Sequence, residues 1–164
     1  MIQRKQTLWL ALISLICFSS IWINIPYRDL DGKMDGKIVE DVKTHIGFSY
    51  TSVEIVGKER TKTISNTFLK YDTLLLGLCS LASIFLYKQR KRQFLLSKVI
   101  YGLLAVMAIL MFYYGWSVRY VDIEPDGQII ISIIFPIILA YANFRATAGI
   151  KHDDNLVKSY DRIR

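Results

Sequence analysis

A chain of 164 residues with a net charge of +7 and 52% apolar residues is long enough for one domain, yet its charged and apolar residues fall in separate blocks. A soluble core mixes polar residues into every helix or strand, so this segregation excludes an ordinary globular domain and points to lipid around the apolar blocks. The basic excess borders those blocks without interleaved stacking aromatics, so no nucleic acid is expected.

The first block runs from about Thr7 to Ile25 and closes at Pro26, predicting a first helix over about 7–26. At roughly 1.5 Å per residue it reaches about 28 Å, close to the roughly 30 Å hydrocarbon core. Arg4 and Lys5 also suit the basic start of a cleaved signal peptide. The apolar run nevertheless continues through Ile21, Trp22 and Ile23, so an uncleaved helix is the expectation. Bulky Ile16 before Cys17 does not suit a lipoprotein signal. Ser14, Cys17, Ser20 and Asn24 share one face of this helix, a pattern suited to close helix packing.

Residues 27–68 form the one sizeable polar stretch. Asp31-Gly32 and Asp35-Gly36 are turn signals. Ile46, Phe48 and Tyr50 alternate with small polar residues as in a half-buried strand. Val53–Val56, Gly57–Arg60 and Thr61–Ile64 read as a hairpin. A small extracytoplasmic β cap between the first two helices is expected, too small to be stable without the bundle. Asp29, Asp31 and Asp35 resemble the start of a calcium loop, but Lys33 and Val42 stand where ligands are needed, so turn chemistry is the preferred reading.

The second helix is expected over about 69–87, with Thr73, Gly77, Ser80 and Ser83 on one face and Lys70 and Asp72 at its outer edge. A basic cytoplasmic linker over 88–98 follows, then a third helix over about 99–117 whose small residues are Gly102, Ala105 and Ala108. The fourth helix is expected over about 128–150, loosened at Pro136, with Ser132, Pro136, Ala140, Asn143 and Thr147 on one side. Asp153 or Asp154 can cap a separate amphipathic tail helix over 153–164, where Leu156, Val157, Tyr160 and Ile163 share a face.

Orientation follows from basic residues near the spans. The linker, tail and N-terminus together hold twelve of the 21 basic residues but only three of the 14 acids, which makes that side cytoplasmic. The fold expectation is therefore an all-α membrane domain: a four-transmembrane-helix bundle in the inner membrane, both termini cytoplasmic, with a small β cap.

No catalytic or metal motif is present in the sequence. His45 and His152 each stand alone in sequence, and Cys17 and Cys79 lie inside apolar blocks without metal-ligand spacing. No enzyme activity, cofactor or metal is expected. The absence of mid-span ionisable groups argues against proton-coupled transport.

The start, Met1-Ile2-Gln3-Arg4 followed by Gln6-Thr7, and the end, Asp153-Asp154-Asn155-Leu156-Val157-Lys158-Ser159-Tyr160-Asp161-Arg162-Ile163-Arg164, resemble an uncharacterised family of Bacteroidota membrane proteins, domain of unknown function 4293. The resemblance covers the whole length. It departs at Asp154, Tyr160 and Ile163, where the family tends to have Glu, a small residue and Leu. It implies an inner-membrane location and transfers no activity.

The leading functional expectation is a non-catalytic accessory or assembly subunit of a larger membrane complex; a small lipid- or quinone-binding carrier is the alternative. Arg4, Lys88, Arg90, Lys91, Arg92, Asp154, Lys158, Asp161 and Arg162 form the candidate surface for anionic headgroups or a membrane-protein partner. Arg4 is expected to pair with Asp161 or Asp154. Ser14, Cys17, Ser20, Asn24, Gly77, Ser80, Ser83, Ser132, Ala140 and Asn143 form the candidate packing set.

Overall fold

The computed structural model describes residues 5–34, 40–55, 61–117, 128–129 and 131–163. The chain is mostly helical, with four long helices and a small antiparallel sheet. In order they are α1 (Lys5–Trp22), β1 (Pro26–Met34), β2 (Glu40–Gly47), β3 (Tyr50–Ile55), β4 (Thr61–Ser65), α2 (Thr67–Phe85), α3 (Arg90–Ser117), β5 (Gln128–Ile129) and α4 (Phe135–Ile163). A 3₁₀ turn over Leu86–Lys88 joins α2 to α3, and another over Ile131–Ile134 leads into α4. The helices form a closed ring in which α1 packs on α2, α2 on α3, α3 on α4 and α4 on α1.

Two helical segments, Thr67–Phe85 and Arg90–Trp116, are long and apolar enough to cross a membrane, while Gln6–Trp22 is apolar but shorter. Among the described residues, length and composition thus mark two of the four helices as able to cross. In α4 the reason is visible in the sequence: the apolar run from Phe135 meets Arg145, and charged residues follow from Lys151 within the same helix.

Several boundaries differ from those expected. The basic linker over 88–98 is mostly helix, because α3 starts at Arg90 and runs for 28 residues. Its inward stripe is Gln93, Ser97, Ile100, Leu104, Met107 and Met111, all buried at helical spacing. Gly102, Ala105 and Ala108 lie instead on its exposed side. Residues 128–129 belong to the sheet rather than to a helix, pairing with Asp29 and Arg28. The tail is not a separate helix either, since α4 passes through Asp153 and Asp154 without a break. A carboxylate able to cap a helix start is also tolerated within one when nothing nearby breaks the backbone pattern.

The sheet order is β4-β3-β2-β1-β5, so the cap draws one short strand from between α3 and α4. Asp31-Gly32 is not a turn; it pairs with Lys43 and Val42 in the β1–β2 ladder. Asp35-Gly36 lies outside the described residues. The hairpin expected after Val53 is present as β3 and β4, from Tyr50 opposite Ser65 to Glu54 opposite Thr61. The alternation at Ile46, Phe48 and Tyr50 does not continue as one strand. Ile46 pairs with Thr51, and the chain reverses between them.

That reversal docks the sheet on the bundle. Phe48 at its tip is fully buried, with its ring 5.7 Å from Tyr27 and 5.9 Å from Phe135. Two asparagines hold the turn from either side. Asn24 adopts a left-handed backbone (φ 49°) just past the end of α1, which asparagine tolerates better than most residues. The Ile25 amide there bonds back to Ser20 O at 3.2 Å, the reach of a Schellman ending. The Asn24 Oδ1 accepts from the amides of Ser49 (2.8 Å) and Tyr50 (3.0 Å), and its Nδ2 donates to Tyr50 O (3.1 Å). Asn24 is therefore a clamp on the turn, not part of a helix face. Opposite it, buried Asn66 precedes α2 and donates to Gly47 O at 2.7 Å, with the Thr51 hydroxyl also in bonding distance.

β1 ties the sheet to α3. The Tyr27 hydroxyl donates to Met111 O (3.3 Å), and Arg28 Nη1 donates to Gly115 O (2.7 Å). Burial holds the Tyr27 phenol well above its usual ionisation range, so it stays a donor at neutral pH. A guanidinium among the last carbonyls of α3 also suits the negative end of the helix dipole.

Candidate functional site

The interior of the helix ring packs buried polar side chains among its apolar core. Each neighbouring pair of helices is joined by a side-chain hydrogen bond. Ser80 Oγ donates to Leu10 O across α2 and α1 (2.7 Å), and Gln93 Nε2 to Ser83 O across α3 and α2 (3.1 Å). Asn143 Nδ2 donates to Ser97 O across α4 and α3 (3.0 Å). Gln6 Nε2 donates to Asp153 Oδ2 across α1 and α4 (3.3 Å), closing the ring. Bonds of this kind lock the rotation of each helix, and each contributes roughly 1 kcal/mol where alternative partners are few.

The candidate packing residues divide as follows. Ser14 and Ser20 are buried and bond within α1, to Ala11 O and Cys17 O. Cys17 is buried beside Gly77, where an added Cβ would stand 3.2 Å from that of Cys17. Ser80, Ser83 and Asn143 are buried, and Ala140 is half-buried. The Ser132 side chain lies outside the described residues. Gln93 and Ser97 were missed because they fell in the supposed linker; their spacing ahead of Ile100, Leu104, Met107 and Met111 is the signal that places them.

At one end of the ring the start of α1, the start of α3 and the second half of α4 converge. Arg90 Nη1 donates to Asp153 O (2.6 Å), beside the Gln6 contact. Gly149 permits the approach of α1, since a Cβ there would lie 3.1 Å from Gln6 Cβ. Gln89, Arg90, Lys91 and Arg92 line an open depression of about 460 Å³. Lys98 lies over the Phe94 ring at 5.2 Å, and Arg145 over Trp9 at 6.0 Å, so aromatic faces support cations around this rim.

Of the candidate surface residues, Arg90 makes the interhelical contact, and Lys91 and Arg92 are exposed. Lys88 ends the 3₁₀ turn, and Asp154, Lys158, Asp161 and Arg162 lie on α4. The side chains of those five are outside the described residues, as is Arg4, so the expected Arg4 pairing falls outside them too. The described contact joining the same two segments is Gln6 with Asp153.

With this geometry in hand, one comparison decides the family. The family model of a domain of unknown function (DUF4293) matches residues 2–163. The chain belongs to that family. No curated protein matches it. The DUF4293 match spans the helices, the sheet and the polar ring together, so they form one family unit.

Two ionisable residues have settings that were not read from sequence. His45 is not alone: it sits opposite Asp29 in the β1–β2 register, with Nδ1 2.7 Å from Asp29 Oδ1. Both side chains are about one-third or more exposed, which makes this a modest surface pair. Asp72, at the outer edge of the second helix as expected, faces inward. It is 9% exposed, and its Oδ2 is buried without a hydrogen-bond partner. Its place in sequence, within two turns of the helix start, concealed that it faces inward with Leu69, Thr73 and Leu76.

Proposed function

We propose that the chain spans the inner membrane four times, with both termini in the cytoplasm, and serves as a non-catalytic accessory or assembly subunit of a larger membrane complex. The observation that carries this reading is the large apolar surface the helices expose around an interior that also buries polar side chains. Ser80, Ser83, Gln93, Ser97 and Asn143 point inward, while Trp22 (91% exposed), Phe85 (75%), Phe112 (71%) and Phe144 (60%) point out from all four helices. In water so much exposed apolar surface would drive association; in lipid it is the solvated face. Two helices with the length and composition to cross support a membrane location.

On this reading the sheet lies outside and the Arg90 end inside, where Lys91, Arg92, Lys98, Arg145 and Lys151 meet anionic headgroups at roughly 1 kcal/mol each. From Lys151 to Ile163, α4 continues for about 20 Å. This charged arm is the handle we assign to the partner, a membrane protein with an acidic cytoplasmic surface.

Purification of the full chain from native membranes in mild detergent, followed by quantitative mass spectrometry, tests this. One membrane protein should co-purify at fixed ratio. The K151E/K158E/R162E variant should retain about tenfold less of it, a change of about 1.4 kcal/mol. Recovery of the wild type as a lone species, or equal recovery of the partner by the variant, contradicts the proposal.

A further inference from the structure

We propose that Asp72, facing inward from α2 with a buried and unpartnered carboxyl oxygen, is a proton-binding site that takes up and releases its proton from the sheet side. The inference rests on the lipid-embedded reading of the bundle and adds to it an ionisable group that the accessory role does not require.

Asp72 lies about 8 Å along the axis from the first residue of α2. α2 packs between α1 and α3. From α1, the titratable group packed against α2 among the described residues is the buried Cys17 thiol, beside Gly77. The buried face of α3 from Ile100 to Met111 presents Ile100, Leu104, Met107 and Met111, none of which titrates. On the sheet, the Tyr27 hydroxyl is committed to Met111 O and Arg28 to Gly115 O. Beside it on α2, the Thr73 hydroxyl is turned back to Leu69 O at 2.8 Å. Among the described residues, none donates a hydrogen bond to the buried Asp72 Oδ2.

Taking a carboxylate out of water without a cation disfavours it relative to the neutral acid, which needs no counter-charge. The buried Oδ2 without a partner is the atom on which the proton would sit. The residual 9% exposure leaves a route for exchange with solvent near the sheet. An asparagine would fill the same volume without an ionisable group, so a purely packing role does not call for aspartate.

Dicyclohexylcarbodiimide tests the site in the full-length protein reconstituted in neutral lipid. It partitions into hydrocarbon and adds across the O–H of a carboxylic acid; the adduct rearranges to a stable N-acylurea with no leaving group. Mass spectrometry should map the adduct to Asp72. Labelling measured across about pH 5–9 should fall by about tenfold per pH unit once the acid has titrated. Asp72→Asn should abolish the adduct and Asp72→Glu restore it. The pH profile of the wild type stands on its own if either variant folds poorly.

No adduct at Asp72 across this range, or a rate independent of pH, overturns the proposal. Protection by sodium ions at constant pH also overturns it, assigning the carboxylate to a metal cation. A water-soluble carbodiimide should modify exposed carboxylates and reach Asp72 more slowly. If both reagents label Asp72 equally fast with the same pH profile, the proton site stands and the lipid-embedded reading fails.

Discussion

Phe48→Ala is expected to destabilise the folded chain by about 3–5 kcal/mol, the usual cost of emptying a fully buried aromatic site. Phe48 is the point at which the sheet enters the bundle, and its ring touches both Tyr27 of β1 and Phe135 at the start of α4. Truncation removes both contacts, and the turn cannot collapse into the space because Asn24 and Asn66 fix its backbone. Phe48→Leu should recover about half of the loss. Thermal unfolding in detergent checks this, and a change below about 1 kcal/mol for the alanine variant would mean that the sheet rests loosely on the helices.

Gly47→Ala has the second-largest expected effect, and its cause is steric. A Cβ at residue 47 would lie 2.4 Å from Asn24 Oδ1 and 2.6 Å from Nδ2, closer than any real contact. Either Asn24 leaves, giving up its bonds to Ser49 and Tyr50, or Gly47 moves and strains the Asn66 bond to its carbonyl. Losing two or three such bonds, one part-buried and the others exposed, gives an expected destabilisation of about 1–3 kcal/mol. Asn24→Gly removes the obstructing side chain while keeping the left-handed backbone. In the Asn24→Gly background, Gly47→Ala should therefore cost under about 1 kcal/mol, and unfolding of the four proteins of this double-mutant cycle checks it.

Much of the helical plan was legible because apolar blocks of about 19 residues bounded by charges leave few alternatives. What escaped were features that depend on which face turns inward. In α3, small residues suggested a packing face at Gly102, Ala105 and Ala108. The ring instead uses the opposite face, where Gln93 and Ser97 supply the polar contacts. Small size permits close packing but does not require it, whereas a buried amide must find an acceptor. Asn24 and Asp31-Gly32 misled for a related reason. An asparagine after a helix and an Asp-Gly pair both favour special backbone geometry, yet only tertiary pairing decides what they meet. The polar end was half legible. Arg90 and the tail carboxylates were marked as one surface, but the link between them runs from Arg90 and Gln6 to Asp153. Asp72 was discounted from its position near a helix end, which measures distance along the axis and not depth within the bundle.

The central claim is that the four helices cross the membrane in alternation, with the sheet outside and the Arg90 end inside. Single cysteines introduced as Gln3→Cys, Thr63→Cys, Gln89→Cys, Asp126→Cys and Asn155→Cys test it directly, with Cys17 and Cys79 replaced by serine. A membrane-impermeant maleimide is added to cells whose inner membrane is intact. The account predicts rapid labelling at 63 and 126, and labelling at 3, 89 and 155 only after that membrane is broken. Labelling of 89 or 155 together with 63 in intact cells would contradict it.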